Sequence, residues 1–294
     1  MKDKIFLNFD SEPSIFTSLL KAFQSRKSRF ISKESIPEIH IKSSTFRIKP
    51  SHLKQYNTIC EIPPAKTLHI MYPFTLVNPY LMRILCREEM PFSQFKILNT
   101  RNRIKMFRDI YPHELFQIEC FNSDVRIVKK GIEFDFNASL PAGQEKVWEI
   151  TSTYFFPGNF GEVENSYIQP LLENIDNSLE TKEWIIKAKN RFKFAGVSGD
   201  TNGIHYSSMY ARMLGFKRDY AQPIRVVSQC ISNLPVDIIT KPIELLFFLK
   251  GPVYYNSVLK LKNQVIYNSN RFDLYCGSNE KPCIRGVLVS ISDE

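Results

Sequence analysis

A carboxylate, a carboxamide and an imidazole lie within a six-residue stretch of the chain, at Asp200, Asn202 and His205. They follow a Ser198-Gly199 pair, which predicts a break before the next helix. An aspartate and a histidine five residues apart, on a turn that leads into a helix, can face the same water molecule. Side chains of these two types sharing one water are suited to general acid and base catalysis.

The residues around this trio extend the pattern over 23 positions. The positions that carry it are Phe194, Ala195, Ser198, Gly199, Asp200, Asn202, Ile204, His205, Ala211, Gly215 and Phe216. They resemble the hydratase motif of the MaoC-like family, which comprises (R)-specific enoyl-thioester hydratases and 3-hydroxyacyl-thioester dehydratases. The resemblance implies an enzyme that adds water to 2-enoyl thioesters or removes it from 3-hydroxyacyl thioesters, with no cofactor beyond the carrier of the thioester.

The same resemblance implies separate roles for the two titratable side chains. Asp200 would be the principal base and would return the proton to the α-carbon. His205 would position the water and share its proton, because imidazole titrates near neutral pH. The alternative is a retained loop in which Asp200 or Asn202 caps the following helix and His205 only packs.

Two positions depart from the family pattern. Gly203 stands where the family has proline, so the turn is less preorganised. Tyr220-Ala-Gln-Pro-Ile224 stands where the family usually has Ile-Ala-His-Gly-Met, whose glycine N–H contacts the thioester carbonyl. Pro223 has no N–H to donate, and losing such a donor costs about a hundred- to a thousandfold in rate. The side chain of Gln222 or the N–H of Ile224 are the candidate replacements.

The sequence also suggests which other residues contact the substrate and which do not. Asn202 is expected mainly to fix its own turn. The histidines His40, His52, His69 and His113 have no partners in sequence and are expected to be incidental. The residues expected to contact the substrate are Asn202, Gly203, Gln222, Ile224 and Ser228.

Composition excludes several classes of protein. The chain has 294 residues, 43% of them hydrophobic, and no apolar run long enough for a transmembrane helix. Its N-terminus matches neither a signal peptide nor a transit peptide. Nucleotide-binding, α/β-hydrolase and zinc-protease motifs are absent. The six scattered cysteines contain no CxxC pair and predict reduced thiols in a cytoplasmic protein without a metal site.

The net charge of +9 suggests either a generic soluble surface or attraction to an acidic partner. For a thioester enzyme that partner would be coenzyme A or an acyl carrier protein. Lys187, Lys189, Arg191 and Lys193 precede the motif and would form either a solvated face or a guide for phosphates. Nucleic acid is a weaker candidate, because the basic residues are spread thinly and no RNA-binding motif is present.

Weak internal repetition indicates the fold class. Val77–Cys86 resembles Ala221–Cys230, and Ile132–Phe136 resembles Arg271–Tyr275. Each half thus places an apolar helix before alternating, half-buried strands. This order suits an α+β double hotdog, in which a long helix is wrapped by an antiparallel sheet twice over, and only the second half carries the motif.

The predicted boundaries are an extension at 1–44, a motif-less hotdog at 45–160, a linker at 161–180 and a second hotdog at 181–294. Within these, a helix is predicted at Ser14–Phe23 and an early strand at Lys66–Tyr72. A buried helical stripe is predicted for Trp184, Ala188, Phe192 and Ala195.

The leading interpretation is a cytoplasmic hydratase or dehydratase, a monomer or homodimer, whose motif-less half favours a longer or bulkier acyl chain. The rival is a non-catalytic acyl-thioester-binding or assembly protein that keeps the fold, which Pro223 supports and the intact Asp200 and His205 oppose.

Overall fold

The computed structural model describes residues 4–13, 30–93, 96–164, 167, 171–172, 175, 181–235 and 241–291. Over these ranges the chain forms α-helices and strands in an α+β arrangement. The helices are α1 (Pro50–Cys60), α2 (Tyr72–Leu85), α3 (Arg191–Ser198), α4 (Ser208–Met213) and α5 (Pro223–Ser232). The strands are β1 (Lys4–Phe9), β2 (Glu38–Ser43), β3 (Phe46–Arg47), β4 (Leu98–Met106), β5 (Leu115–Phe116), β6 (Glu119–Val128), β7 (Gly131–Ala142), β8 (Glu145–Pro157), β9 (Thr181–Ile185), β10 (Ile243–Leu249), β11 (Val258–Ile266), β12 (Ser269–Cys276) and β13 (Ile284–Ser290).

One continuous sheet joins the two halves of the chain. Its order is β1-β2-β6-β7-β8-β4-β10-β13-β12-β11-β9, and β3 and β5 extend it beside β7. Only the β1–β2 pair among these ladders is parallel. The halves meet where β4 and β10 pair antiparallel, from Ile243 opposite Met106 to Phe248 opposite Arg101. Main-chain hydrogen bonds therefore join the strands of the two halves into this one sheet.

Alternation along the strands explains how the sheet covers the helices. In β11, Leu259 and Leu261 are buried while Lys260 between them is exposed. In β7 both faces are buried, because Phe134 and Phe136 enter the core and Asp135 accepts two hydrogen bonds from Arg126 on the other face, at 2.8 and 2.6 Å. Polar groups on the second face of β7 are thus paired, as burial requires.

Each half has one strongly buried helix, as predicted from the repeat. In α5 every residue from Ile224 to Ile231 is buried. α2 is similarly buried, but Pro79 lies inside it, whereas the matching Pro223 begins α5. The four longest helices pack against one another across the boundary between the halves. This packing brings first-half side chains next to the motif.

Several local predictions need correction. Lys66–Tyr72 is not a strand: residues 66–71 form turns, and Tyr72 begins α2. The helical stripe fails because Trp184 lies in β9 and Phe192 is 63% exposed. Pairing with neighbouring strands overrides the local helical spacing at this position.

The remaining predictions concern the N-terminal extension, the linker and the boundaries of the two hotdog units. The helix predicted at Ser14–Phe23 lies outside the described residues, as does most of the linker at 161–180. Residues 1–44 supply β1 and β2 at one end of the sheet, where β1 is the edge strand and β2 pairs with β6. The unit boundaries at 45–160 and 181–294 remain a proposal. No helix in the described ranges is long and apolar enough to cross a membrane.

Candidate active site

The turn after α3 brings Asp200 and His205 together. α3 ends at Gly199, whose φ of 69° is left-handed and suits glycine. The chain then passes Asp200 and enters a short 3-10 turn at Gly203–His205. As a result, Oδ2 of Asp200 lies 3.3 Å from Nε2 of His205. The two predicted catalytic side chains therefore meet, as the motif requires.

The environment of Asp200 keeps its carboxylate charged. Burial alone would raise the pKa of Asp200, but the neighbouring His205 and the N–H of Asn202 outweigh it and hold the pKa below its usual value. That N–H donates to Oδ1 at 3.1 Å. With Oδ1 engaged by the backbone, Oδ2 is the oxygen directed at His205.

A single main-chain contact fixes the imidazole. Nδ1 of His205 lies 2.9 Å from the carbonyl oxygen of Tyr220. A carbonyl only accepts, so Nδ1 carries a hydrogen and Nε2 is turned toward Asp200. The His205 ring is 3% exposed and stands edge-on to the Tyr220 ring, with centroids 5.0 Å apart. This orientation leaves Nε2 as the nitrogen available for chemistry.

Asp200 and His205 line a cavity that both halves of the chain build. Its wall is mainly apolar, with a few amide and hydroxyl groups. From the second half it is lined by Asp200, Thr201, Asn202, Ile204, His205, Tyr220, Pro223, Ile224 and Phe247. From the first half it is lined by Phe74, Asn78, Met82, Leu85, Cys86, Ile97, Leu98, Asn99, Asn102 and Tyr154. We call this the central cavity.

Two first-half side chains hold the end of α3. Nε2 of His52 lies 2.9 Å from the carbonyl oxygen of Val197, and Nδ2 of Asn78 donates to that of Ser198 at 2.8 Å. Both carbonyls belong to the last turn of α3 and have no partner inside the helix. His52 was expected to be incidental, and that expectation is wrong. Sequence carried no signal for either contact, since each joins residues more than 100 positions apart.

The predicted substrate contacts fall into two groups. Asn202 and Ile224 lie on the wall of the central cavity, and Oδ1 of Asn202 also accepts from the N–H of Ile204 at 3.3 Å. Gly203 instead packs beneath the Tyr210 ring, where an added Cβ would lie 2.9 Å from Cδ1. A residue with a Cβ, including proline, therefore meets this ring at the position where the chain departs from the family.

Gln222 and Ser228 are buried away from the central cavity. Nε2 of Gln222 donates to the carbonyl of Arg191 at 3.0 Å and to the Tyr206 hydroxyl at 2.9 Å, while Oε1 accepts from Tyr255 at 2.9 Å. The Ser228 hydroxyl bonds to the carbonyl of Ile224, one helical turn back. These surroundings give both side chains a structural role in place of the predicted substrate contact.

The N-terminal turn of α5 faces the cavity. Pro223 and Ile224 both line it, and Pro223 occupies the first helical position. N–H groups in the first turn of a helix have no partner within the helix, so the N–H of Ile224 is the first main-chain donor after Pro223. The side chain of Gln222 makes no capping hydrogen bond to this turn.

The basic residues before the motif differ in their surroundings. Lys187, Lys189 and Lys193 are exposed. Arg191 is instead paired with Asp219, with Nη1 and Oδ2 2.6 Å apart. Three exposed cationic groups therefore lie before the motif and can contact solvent or a charged ligand.

A curated protein is similar to this chain over most of its length. The chain is 20% identical over 224 residues to a curated protein, 3-hydroxyacyl-thioester dehydratase X of Mycobacterium tuberculosis, covering 76% of this chain and 80% of that protein. No family model matches the chain.

Solved structures give the same picture for the fold. HtdX of Mycobacterium tuberculosis superposes with a TM-score of 0.74 at 16% identity, covering 86% of this chain and all of that one. A MaoC-like dehydratase from Phytophthora capsici gives 0.72 at 15% identity, covering 90% and 99%. The predicted resemblance to MaoC-like dehydratases and the α+β hotdog architecture are therefore confirmed.

Proposed function

We propose that this protein is a hydro-lyase that adds water to 2-enoyl thioesters and, in reverse, removes water from 3-hydroxyacyl thioesters. The observation that carries this proposal is the meeting of Asp200 Oδ2 and His205 Nε2 at 3.3 Å on the wall of the central cavity. The similarity to a protein named 3-hydroxyacyl-thioester dehydratase supports it.

The reaction needs one water molecule and no cofactor. In hydration, the water held by Nε2 of His205 gives a proton to Asp200 while its oxygen bonds to C3 of the enoyl group. The electron pair of the C2=C3 bond moves toward the thioester carbonyl as an enolate. Asp200 then returns the proton to C2, so that H and OH have been added across the double bond. Asp200 is a competent base because its carboxylate is kept ionised.

Charge on the enolate oxygen requires hydrogen-bond donors. With Pro223 lacking an N–H, we assign the N–H of Ile224 to this oxygen, since it lies in the first turn of α5 beside the cavity. The positive end of the helix dipole adds to the same stabilisation. This assignment shifts the donor by one residue from the position at which the family has its glycine.

The first half would bind the acyl chain. Phe74, Met82, Leu85 and Ile97 present apolar surface to the central cavity, which a hydrocarbon chain would bury favourably. This favours a longer or bulkier acyl group over a short one. The carrier would be coenzyme A or an acyl carrier protein, whose negative charge complements the net charge of +9.

The cellular context follows from the same proposal. The protein would act in fatty-acid or related acyl metabolism, as a monomer or homodimer. All six cysteines are unpaired and buried, in keeping with a cytoplasmic enzyme.

Hydration of a medium-chain 2-enoyl-CoA tests the proposal, followed as loss of the conjugated enoyl absorbance. The native protein should turn over the substrate, and Asp200→Asn and His205→Ala should each abolish turnover. Undiminished turnover in either variant would contradict the roles assigned to these two side chains.

A second candidate function is favoured by one observation, the absence of an N–H at Pro223. It is a non-catalytic acyl-thioester-binding or assembly protein with the same fold. Binding of thioesters without turnover, across several chain lengths and with carrier-protein-bound substrate, would decide for it.

A further inference from the structure

A phenol from the motif-less half enters the central cavity. Tyr154 lies on β8 and is 6% exposed. Its ring packs edge-on against Phe136, with centroids 5.2 Å apart. The side chain lines the cavity together with Asp200 and His205. A buried phenol thus borders the space in which the proposed reaction occurs.

Amide groups lie beside this phenol on the cavity wall. Nδ2 of Asn99 donates to Oδ1 of Asn102 at 3.0 Å, and Nδ2 of Asn102 donates back to Oδ1 of Asn99 at 2.6 Å. The Ser152 hydroxyl donates to Oδ1 of Asn102 at 2.7 Å. The two amides are thus held by each other and by Ser152.

Tyr154 and the first turn of α5 line the same cavity. Tyr154, Asn99, Pro223 and Ile224 are all on the wall of the central cavity. Asn99 and Pro223 also line a neighbouring groove together with Tyr220 and Gly251. A substrate bound in the central cavity is therefore bordered by both the phenol and the α5 turn.

Binding of a hydrocarbon chain alone does not explain why Asn99, Asn102 and Tyr154 lie together on the cavity wall. Two amides and a phenol in an otherwise apolar wall would lose hydration when a chain covers them. A polar atom of the substrate would compensate for that loss. In a 2-enoyl thioester, the carbonyl oxygen is the polar atom beside the reacting carbons, and it gains negative charge as the enolate forms.

We propose that Tyr154 donates a hydrogen bond to the thioester carbonyl oxygen, acting from the first half as the second donor beside the N–H of Ile224. The inference rests on the proposed function and names a catalytic residue that the motif does not contain. It also explains how a chain with Pro223 retains stabilisation of the enolate. The motif-less half then contributes to the chemistry as well as to the binding of the acyl chain.

The protonation state of Tyr154 suits this role. Burial, reinforced by the charge of Asp200 and opposed by the Asn99 amide, raises the pKa of Tyr154 to about 12. The phenol therefore remains a neutral donor at working pH. It stabilises charge on the substrate without exchanging a proton with Asp200.

Removal of one oxygen atom tests the inference. Tyr154→Phe should lower kcat for enoyl-CoA hydration by about a hundredfold and leave KM nearly unchanged, because the lost contact strengthens as the enolate forms. Tyr80→Phe is the matched control, since Tyr80 is a buried phenol of the same half that lies on the opposite side of α2, outside the cavity. It should keep the native kcat.

Two results of this assay would overturn the inference. One is a native kcat in Tyr154→Phe, which leaves the proposed function intact if the native protein is active. The other is loss of kcat in Tyr220→Phe but not in Tyr154→Phe, because Tyr220 also lines the cavity and its hydroxyl would then be the donor.

A second measurement is independent of turnover. A hydrogen bond to the carbonyl of a bound cinnamoyl thioester polarises its conjugated system and shifts its absorbance to longer wavelength. The shift should appear on binding to Asp200→Asn and should be lost in the Asp200→Asn, Tyr154→Phe double variant. If the native protein lacks turnover but the shift depends on Tyr154, the donor role stands while the proposed function fails. A shift that persists without the hydroxyl, or no binding of the thioester, overturns the inference.

Discussion

Asn78→Leu tests whether the motif-less half positions the catalytic loop. Leucine keeps roughly the volume of asparagine but cannot donate to the carbonyl of Ser198, which Asn78 reaches at 2.8 Å. Asn78 is 4% exposed, so the carbonyl would be left without a partner in a buried site. Losing the bond and leaving the acceptor unsatisfied should cost about 1–3 kcal/mol of unfolding free energy. Because Ser198 directly precedes the turn to Asp200, kcat should also fall, on the order of ten- to a hundredfold.

Urea unfolding and steady-state enoyl-CoA hydration measure the two effects. Asn122→Leu is the control: Asn122 is equally buried, donates to the carbonyl of Pro37 at 2.9 Å, accepts from the N–H of Ile39 at 2.8 Å and does not line the cavity. It should lower stability by at least as much and leave kcat of the folded protein unchanged. If Asn78→Leu loses stability but keeps the native kcat, the loop is held by its own half and the reasoning fails.

Three further outcomes are expected. Gly203→Pro should lower the unfolding free energy by about 1–3 kcal/mol because its Cβ meets the Tyr210 ring at 2.9 Å, and adding Tyr210→Ala should recover part of that loss in a thermal melt. Gln222→Leu should lower the urea midpoint without raising KM, since its amide bonds to protein groups. If KM rises while stability is unchanged, Gln222 contacts the substrate, as predicted from the sequence. The folded pKa of Asp200 is depressed, so its contribution to stability is present above the unfolded value of about 3.9 and is lost as pH falls through the folded pKa. The difference in urea midpoint between native protein and Asp200→Asn should therefore shrink below about pH 4, and a difference that stays constant with pH would contradict the depressed pKa.

Sequence was sufficient where a local pattern determines the structure. In the run from Ala221 to Cys230 a proline is followed by the apolar residues Ile224, Val226 and Val227, and the run forms the buried helix α5. Alternation around Phe134–Phe136 and Phe272–Leu274 matches strands β7 and β12. The meeting of Asp200 and His205 also follows locally, because Gly199 and a short 3-10 turn are enough to bring residues five apart into contact.

Contacts between the halves could not be read from the sequence. His52 and Tyr154 are separated from the motif by long stretches of chain, and no spacing rule links them to it. From the sequence, Gly203 indicated only a less preorganised turn. The structure explains why a glycine is present, because the Tyr210 ring is packed against it and leaves no space for a Cβ. Trp184 followed a helical spacing and yet pairs as β9 with β11, because an available strand edge outweighs a short periodic pattern.

The two halves differ in the connection before their most buried helix. The chain between α1 and α2 spans residues 61–71 and holds neither a 3-10 turn nor a helix, whereas the matching connection between α3 and α5 spans 199–222 and holds the 3-10 turn and α4. Beside the shorter connection, the Tyr56 hydroxyl lies 2.7 Å from Oγ of Ser228. The first half instead contributes side chains such as Asn78, Asn99 and Tyr154 to the cavity that holds the motif of the second. A departure such as Pro223 is then tolerable, because the donors for one reaction come from both halves of the chain.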